Sequence, residues 1–188
     1  MKNRVIQIAI LFSFICYASV IEAQENKLFK EYISCFTEKC FTDTYQDIDT
    51  IGHKPYLPIK SDYLKFLDKD MQDTTMITWI VYKGDKENYL AILSQLIEND
   101  MSYYYYFVFY NDVGKIINSY KILASSEDEY DTKLFLSKDK VKYMRYGPYI
   151  ETETTNCKEI IYKIINGKSL KQISEQDFKI NRRDLFIW

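Results

Sequence analysis

Two adjacent segments near the middle of the chain are filled with aromatic and β-branched residues, which favour β-strands. Residues 102–110 read Ser-Tyr-Tyr-Tyr-Tyr-Phe-Val-Phe-Tyr, and residues 115–123 read Lys-Ile-Ile-Asn-Ser-Tyr-Lys-Ile-Leu. The four residues between them, Asn-Asp-Val-Gly, supply side chains that bond their own backbone and a glycine that accepts a positive φ. The pattern therefore predicts a β-hairpin.

The first arm of this hairpin carries bulky side chains on both faces. Side chains alternate between the two faces of a strand, so the arm divides into two sets. One set is Tyr103, Tyr105, Phe107 and Phe109, and the other is Tyr104, Tyr106, Val108 and Tyr110. A strand that is apolar on both faces belongs in the middle of a sheet with a layer packed on each side.

Further strands are predicted on both sides of the hairpin, at residues 76–83, 88–97, 133–136, 141–146, 157–165 and 169–173. Short turns separate most of them, and adjacent strands joined by tight turns are antiparallel. Ile116, Tyr120 and Ile122 are expected on one core face, and Ile160, Tyr162 and Ile164 on another. Residues 152–155 are predicted to form a polar turn and 166–167, Asn-Gly, a hairpin turn. Residues 175–188 are ambiguous.

Two short helices are predicted before the strands. Apolar residues recur at helical spacing over 25–36, and Ser61 is a candidate N-cap for a second helix that runs to Asp68. Proline and polar residues dominate the connection between them. The predicted fold is mainly β (α+β): a curved antiparallel β-meander of about six to eight strands with one or two short N-terminal helices.

The N-terminal segment has the pattern of a secretory signal peptide. Lys2 and Arg4 precede an apolar run over 5–20, and Ala23 stands at the expected cleavage position. We predict a signal peptide over 1–23 and a single mainly β domain over 24–188. The alternative is an uncleaved anchor helix, since the run approaches the roughly 17 residues of a short membrane span. Lipidation of Cys16 is disfavoured, because large apolar residues precede it where a lipobox has small ones.

Export and cleavage would leave a chain with nearly balanced charge. The removed segment carries two basic residues and one acidic residue, so the net charge changes from −2 to about −3. A surface this balanced does not favour nucleic-acid binding. The expected location is the periplasm or the exterior, with no stable membrane span after cleavage.

Cys35, Cys40 and Cys157 would remain after cleavage and meet an oxidising compartment. On one continuous helix, Cys35 and Cys40 would point about 140° apart, which prevents a bond between them. A bridge therefore requires the helix to end between them, or requires one of them to reach Cys157. We predict a Cys35–Cys40 disulfide with the helix ending near Ser34, and Cys157 as a thiol.

No catalytic, metal or cofactor signature stands out in the sequence. His53 is the single histidine and lies in a loop without a recognisable nucleophile. The acidic run 127–131 lacks the spacing of an EF-hand loop. Glu151 and Glu153 would share one side of a strand, as in a glycosidase pair, but acidic residues are common in this chain. We therefore predict no catalytic residue, no metal and no cofactor.

Tyrosine is the most conspicuous feature of the composition, with 18 tyrosines beside 11 phenylalanines. The apolar ring and polar hydroxyl suit either a half-buried strand position or contact with a sugar or a protein. The structural interpretation is favoured over the binding one. If the tyrosines do bind, the candidate contacts are those of the first hairpin arm: Tyr103, Tyr104, Tyr105, Tyr106 and Tyr110.

Several segments together resemble a group of small secreted proteins of Bacteroidota with no assigned activity. These are the signal peptide ending Ala-Gln, the short helix that follows it, the link His-Lys-Pro-Tyr-Leu-Pro-Ile at 53–59, the Tyr-Leu-Lys-Phe-Leu helix at 63–67, and the aromatic hairpin followed by an acidic loop. The resemblance covers most of the mature chain and implies no catalytic residues. Many such proteins are lipoproteins, and this chain departs from them by lacking a convincing lipobox.

The sequence thus predicts an exported, non-enzymatic protein that binds a protein partner, for instance an envelope component or a toxin for which it is the immunity protein. The alternative is a binder of a glycan or another small ligand on a tyrosine-lined sheet. A hydrolase whose site cannot be read from the sequence ranks third.

Overall fold

The computed structural model describes residues 2–38, 42–48, 61–71, 76–83, 88–97, 102–125, 131–147 and 154–181. Within these ranges the main elements are a long helix and ten strands. In chain order they are α1 (Lys2–Ser34), β1 (Thr37–Glu38), β2 (Gln46–Asp47), β3 (Met76–Lys83), β4 (Tyr89–Ile97), β5 (Ser102–Tyr110), β6 (Ile116–Ser125), β7 (Asp131–Leu136), β8 (Lys140–Tyr146), β9 (Thr154–Ile165) and β10 (Ser169–Asn181). The 3₁₀ helices Ser61–Phe66 and Lys69–Met71 lie between β2 and β3.

The strands form two open five-stranded sheets. The first has the order β1-β3-β4-β5-β6 and the second the order β10-β9-β8-β7-β2. The eight long strands, β3 to β10, follow one another within their sheets and pair antiparallel. The predicted mainly β antiparallel meander is confirmed. The structure adds its division into two sheets, and each sheet gains a two-residue edge strand from the N-terminal part, β1 being parallel to β3.

Strand β5 is buried on both faces, as predicted. One face contributes Tyr105, Phe107 and Phe109 to a core between the two sheets, where Leu134 and Val141 of the second sheet also lie. The other face packs against the helical layer in a second core, which contains Phe29, Tyr32, Phe36, Tyr63, Phe66, Tyr106, Val108 and Tyr110. The molecule therefore has three layers, with the first sheet between the helices and the second sheet.

The turn between β5 and β6 is built as the sequence predicts. The Asn111 side-chain oxygen accepts hydrogen bonds from the backbone N–H of Val113 at 3.2 Å and of Lys115 at 2.8 Å. Gly114 has a φ of +87°. A Cβ at Gly114 would lie 2.5 Å from the ring of Phe29, so this glycine is needed both for its φ and for contact with α1.

A bulge in the β5–β6 pairing corrects one predicted core face. Phe109 pairs with Asn118 and Tyr110 with Ile116, so β6 has one extra residue at this point. An extra residue reverses the alternation on one side of it. Ile116 therefore packs in the helical core, whereas Tyr120 and Ile122 pack between the sheets. The predicted common face of Ile160, Tyr162 and Ile164 is confirmed, since all three pack between the sheets.

Helix α1 changes character along its length. Its described side chains from Ile10 to Glu25 are all exposed, and the buried ones begin at Phe29. No described helix has an apolar stretch of the length that crosses a membrane. The predicted helix over 25–36 is thus the packed end of a longer helix, and the predicted helix at Ser61 is a short 3₁₀ helix.

The C-terminal hairpin is longer than predicted. Strand β9 begins at Thr154, so the predicted polar turn over 152–155 is wrong for its last two residues, which lie in the strand. The turn at Asn166 and Gly167 is confirmed, and both residues have positive φ, 51° and 63°. The return strand β10 continues to Asn181, well into the segment that the sequence left ambiguous.

Candidate interaction surface

The tyrosines predicted as possible contacts lie mostly in the core. Tyr105, Tyr106 and Tyr110 are 5%, 2% and 0% exposed. Tyr104 is partly buried, and the ammonium group of Lys121 lies 3.9 Å from its ring centroid, a cation–π contact. The side chain of Tyr103 lies outside the described residues. These positions therefore offer no continuous tyrosine-lined surface.

Tyr110 and Tyr32 form a buried hydrogen-bond chain in the helical core. The Tyr110 hydroxyl donates to the carbonyl oxygen of Phe66 at 2.6 Å and lies 3.2 Å from the Tyr32 hydroxyl. Because Tyr110 has one hydroxyl proton, Tyr32 is the donor between the two. Burial raises the pKa of both phenols above the ordinary value of 10.0. The pair connects α1, the 3₁₀ helix at Ser61 and β5, and it is structural.

The structure describes Cys35 and Cys157 but not Cys40, so it bears on only part of the cysteine prediction. Helix α1 ends at Ser34, which meets the condition for a Cys35–Cys40 bridge, and the Cys35 thiol lies 3.4 Å from the Glu31 carbonyl oxygen. Cys40 lies outside the described residues, so the bridge stays a prediction. Cys157 is a buried free thiol, and burial raises its pKa to about 11, so it stays protonated at neutral pH.

The other candidate catalytic groups lie outside the described residues. This applies to His53, to residues 127–130 of the acidic run, and to Glu151 and Glu153. Asp131, the last residue of the run, opens β7. Within the ranges that the structure describes, no group of three His, Cys, Asp or Glu side chains is arranged to hold a metal.

The face of the second sheet that points away from the first carries an apolar group, which we call the outer cluster. Its members are Phe135, Met144, Tyr146, Cys157, Phe178 and Ile180. Lys142 lies at its margin, with its ammonium group 4.6 Å from the ring centroid of Phe135 and 3.9 Å from a carboxylate oxygen of Glu159. The outer cluster extends to Phe178 and Ile180 on β10, the strand at the edge of the sheet.

Strand β10 is long and exposed. It has thirteen residues, and residues 171–177 are exposed without interruption. Among the described strands it pairs only with β9. Its charges are arranged across the strand pair: Lys158 of β9 donates to Glu175 at 2.6 Å, which raises the pKa of Lys158 and lowers that of Glu175. The two side chains are 39% and 42% exposed, so water and salt screen the pair.

A cavity of about 540 Å³ opens beside β10 at this end of the second sheet. The described residues that line it are Arg145, Asn156, Cys157, Lys158, Asp177, Phe178 and Lys179. Apolar atoms of Cys157 and Phe178 thus lie among three cationic side chains and one carboxylate. The long edge strand and this cavity together form what we call the β10 surface.

Sequence reasoning missed the β10 surface because the pattern over 174–181 is weak. Phe178 and Ile180 alternate with Asp177 and Lys179, but polar residues occupy the preceding positions. The alternation is therefore too short to distinguish a strand from an irregular tail. The supporting signal was the Asn-Gly turn at 166–167, which favours a return strand after β9.

The fold and surface define a mainly β protein made of two packed open sheets and a helical layer, in which the edge strand β10 is long and exposed. No known protein family, no curated protein and no solved structure matches this chain. Its function is therefore argued from its own residues.

Proposed function

We propose that this chain is an exported, non-enzymatic interaction protein that binds a protein partner through the β10 surface. The observation that carries the proposal is the exposed edge strand β10. An unpaired strand edge offers rows of backbone N–H and C=O groups to an extended segment of another chain. Strand β10 contains neither proline nor glycine, the residues that weaken such an edge.

The side chains of β10 supply a basis for selectivity. Phe178 and Ile180 continue the outer cluster, so a partner strand would find apolar side chains on that face. Asp177 and Lys179 lie on the opposite face, where they would select charged residues of opposite sign. Backbone pairing gives affinity in this mode of recognition, and the alternating side chains give specificity.

Export is part of the proposal, and the burial pattern of α1 supports it. Ile15, Tyr17 and Val20 are 56%, 69% and 55% exposed, whereas Phe29 is buried. The core thus makes no use of these side chains, and cleavage after Ala23 would leave the packed end of α1 intact. A periplasmic or secreted location, an envelope-associated or immunity role, and kinship with the small Bacteroidota proteins remain predictions.

Site-specific photocrosslinking tests the interaction. A photoreactive residue at position 179, on the exposed strand, is expected to capture one partner protein in the native envelope. The same residue at position 163, exposed on β9 within the sheet, is the matched control. The purified partner should then bind the purified protein. Equal capture from both positions, or no binding by the purified partner, would contradict the proposal.

Proline substitutions sharpen this test. In an antiparallel edge strand, successive residues direct their N–H groups alternately toward the neighbouring strand and away from it. Of the two variants Gln176→Pro and Asp177→Pro, one therefore removes an outward donor and leaves the β9 pairing intact. That variant is expected to fold normally and to lose the partner.

The cavity supports a second candidate function, the binding of a small ligand. Its volume of about 540 Å³ lies in the usual range for ligand pockets. Arg145, Lys158 and Lys179 would favour an acidic group, and Phe178 would contact an apolar part of the ligand. A screen of small aromatic acids by calorimetry tests this. A ligand that binds the wild type and Ile180→Ala but not Phe178→Ala would support it.

A further inference from the structure

We infer that the β10 surface pairs with a second copy of this chain, in an antiparallel register centred on Phe178. The inference rests on the proposed role of β10 as an interaction edge and names a partner for it. Edge strands of identical chains commonly join across a twofold axis, since the same surface then serves both copies.

The accessible part of β10 is limited to one regular stretch. A register irregularity lies between Gln172 and Ser174, and before it the Asn118 side chain donates to the Lys168 carbonyl oxygen at 2.8 Å, which ties the start of the hairpin to β6. Beyond the irregularity, residues 174–181 pair with β9 without interruption. A partner strand would therefore add within 174–181, and a register centred on Phe178 uses 175–181.

Charge selects the register within this stretch. A twofold axis perpendicular to the sheet relates the two copies. A residue that precedes the central residue by a given number of positions then lies opposite the residue that follows it by the same number in the other copy. Centred on Phe178, the pairing sets Asp177 of each copy opposite Lys179 of the other, which gives two attractive pairs. It also places the two copies of Phe178 opposite each other and Gln176 opposite Ile180.

Each neighbouring register contains like charges opposite each other. A centre at Gln176 sets Glu175 opposite Asp177 twice, and a centre at Lys179 sets the two copies of Lys179 opposite each other. A centre at Asp177 gives two attractive Glu175–Lys179 pairs, but it also sets the two copies of Asp177 opposite each other. Like charges directly opposite on adjacent strands are destabilising. Of these registers, the one centred on Phe178 therefore has the best charge complementarity.

The same register extends two features across the interface. Asp177 lies directly opposite Lys158 of β9, so positive and negative side chains would alternate from β9 through β10 to the second copy. Phe178 lies opposite Cys157 and belongs to the outer cluster, so the two outer clusters would become continuous through the two Phe178 rings. The interface would thus have a charged face and an apolar face.

Charge-reversal variants test the inference on purified mature protein. Asp177→Lys and Lys179→Asp each replace two attractive pairs with two repulsive pairs, and each is expected to weaken dimerisation about tenfold or more. An equimolar mixture of the two variants should dimerise, because each then faces its opposite charge. The double variant should also dimerise, and Lys163→Asp, which changes a charge on β9 away from the edge, should behave as wild type.

Sedimentation velocity over a range of concentrations provides the readout, with circular dichroism to confirm that each variant is folded. A dimeric wild type, two weakened single variants and a restored mixture would support the inference. A monomeric wild type, or single variants that dimerise like wild type, would overturn it. If the mixture and the double variant both stay monomeric, the Phe178 register is wrong.

These outcomes separate the inference from the proposed function. A dimer that captures no other protein in the envelope would leave the inference standing and contradict the broader role. A monomeric protein that captures a partner at position 179 would support the function and overturn self-pairing.

Discussion

Strands β5 and β10 are both long antiparallel strands, but β5 lies inside its sheet and is buried, whereas β10 lies at the edge of its sheet and is exposed. Strand β5 pairs with β4 and β6, and its six side chains from Tyr105 to Tyr110 are all buried. Strand β10 pairs with β9 alone among the described strands, and most of its side chains are exposed. The comparison shows that sequence alternation has different meanings in the two places. In β5 both alternating sets serve the core, whereas in β10 one set extends an apolar cluster and the other carries charge.

The largest difference in stability loss between the two strands should appear when one phenylalanine of each is replaced by alanine. Phe107→Ala empties a fully buried site between the sheets and is expected to cost about 3–5 kcal/mol. Phe178→Ala, at a partly buried site on β10, is expected to cost about 1 kcal/mol. Urea denaturation measures both. Similar losses in the two variants would show that β10 is as deeply integrated in the fold as β5.

The glycines of the two hairpins provide a second comparison. Gly114→Ala places a Cβ at positive φ and against the Phe29 ring, and we expect the free energy of unfolding to decrease by about 2–4 kcal/mol. Gly167→Ala in the β9–β10 turn has positive φ as well, and strain alone should cost about 1–2 kcal/mol. Thermal or urea unfolding measures the difference, which reports the Phe29 contact. Equal losses would mean that α1 does not press on the β5–β6 turn.

The phenols behind β5 should make stability depend on alkaline pH. The pKa of Tyr32 and Tyr110 is raised by burial, so above pH 10 the unfolded chain loses protons that the folded chain retains. The contribution of the two protonated phenols to the free energy of unfolding is complete below pH 10 and decreases as the pH rises further. Tyr110→Phe should cost about 1–3 kcal/mol at pH 7 and weaken the alkaline decline. Urea titrations at pH 7 and above pH 10 test this, and an unchanged decline would assign it to other groups.

The smallest effect is expected on β10. Glu175→Gln removes the exposed partner of Lys158, and exposed pairs are screened by water and salt. The depressed pKa of Glu175 means that any contribution is present at neutral pH and is lost as the pH falls. We expect no change in the urea midpoint outside experimental error, in low or high salt. A clear loss would show that the charges of β10 help to hold the monomer together.

The sequence predicted β5 well because every position from Tyr104 to Tyr110 is bulky, so both faces require burial. It failed where one residue decides the outcome. A bulge beside Tyr110 moved Ile116 to the opposite side of the sheet, and no sequence signal marks which residue is extra. The two-residue strands β1 and β2 are too short to show alternation, and the division into two sheets depends on packing between distant strands.

The candidate surface was harder to predict than the fold for a related reason. Abundant tyrosine indicated binding or packing, and composition alone cannot assign Tyr110 to a buried hydrogen bond with Tyr32. In contrast, Asp177 and Lys179 are ordinary charges whose importance arises from their place on an edge strand. That place is a property of the topology, which follows from all the strand pairings together.

The contact between Phe29 and Gly114 also determines when the packed end of α1 can be buried during protein synthesis. The packed end of α1 emerges first, but its binding site is formed by β4, β5 and the turn that follows, which are synthesised much later. Contacts between residues so far apart in sequence form slowly, because a long loop must close before they are made. Phe29, Tyr32 and Phe36 therefore remain exposed on the nascent chain, where a chaperone can hold them, until the aromatic hairpin is complete.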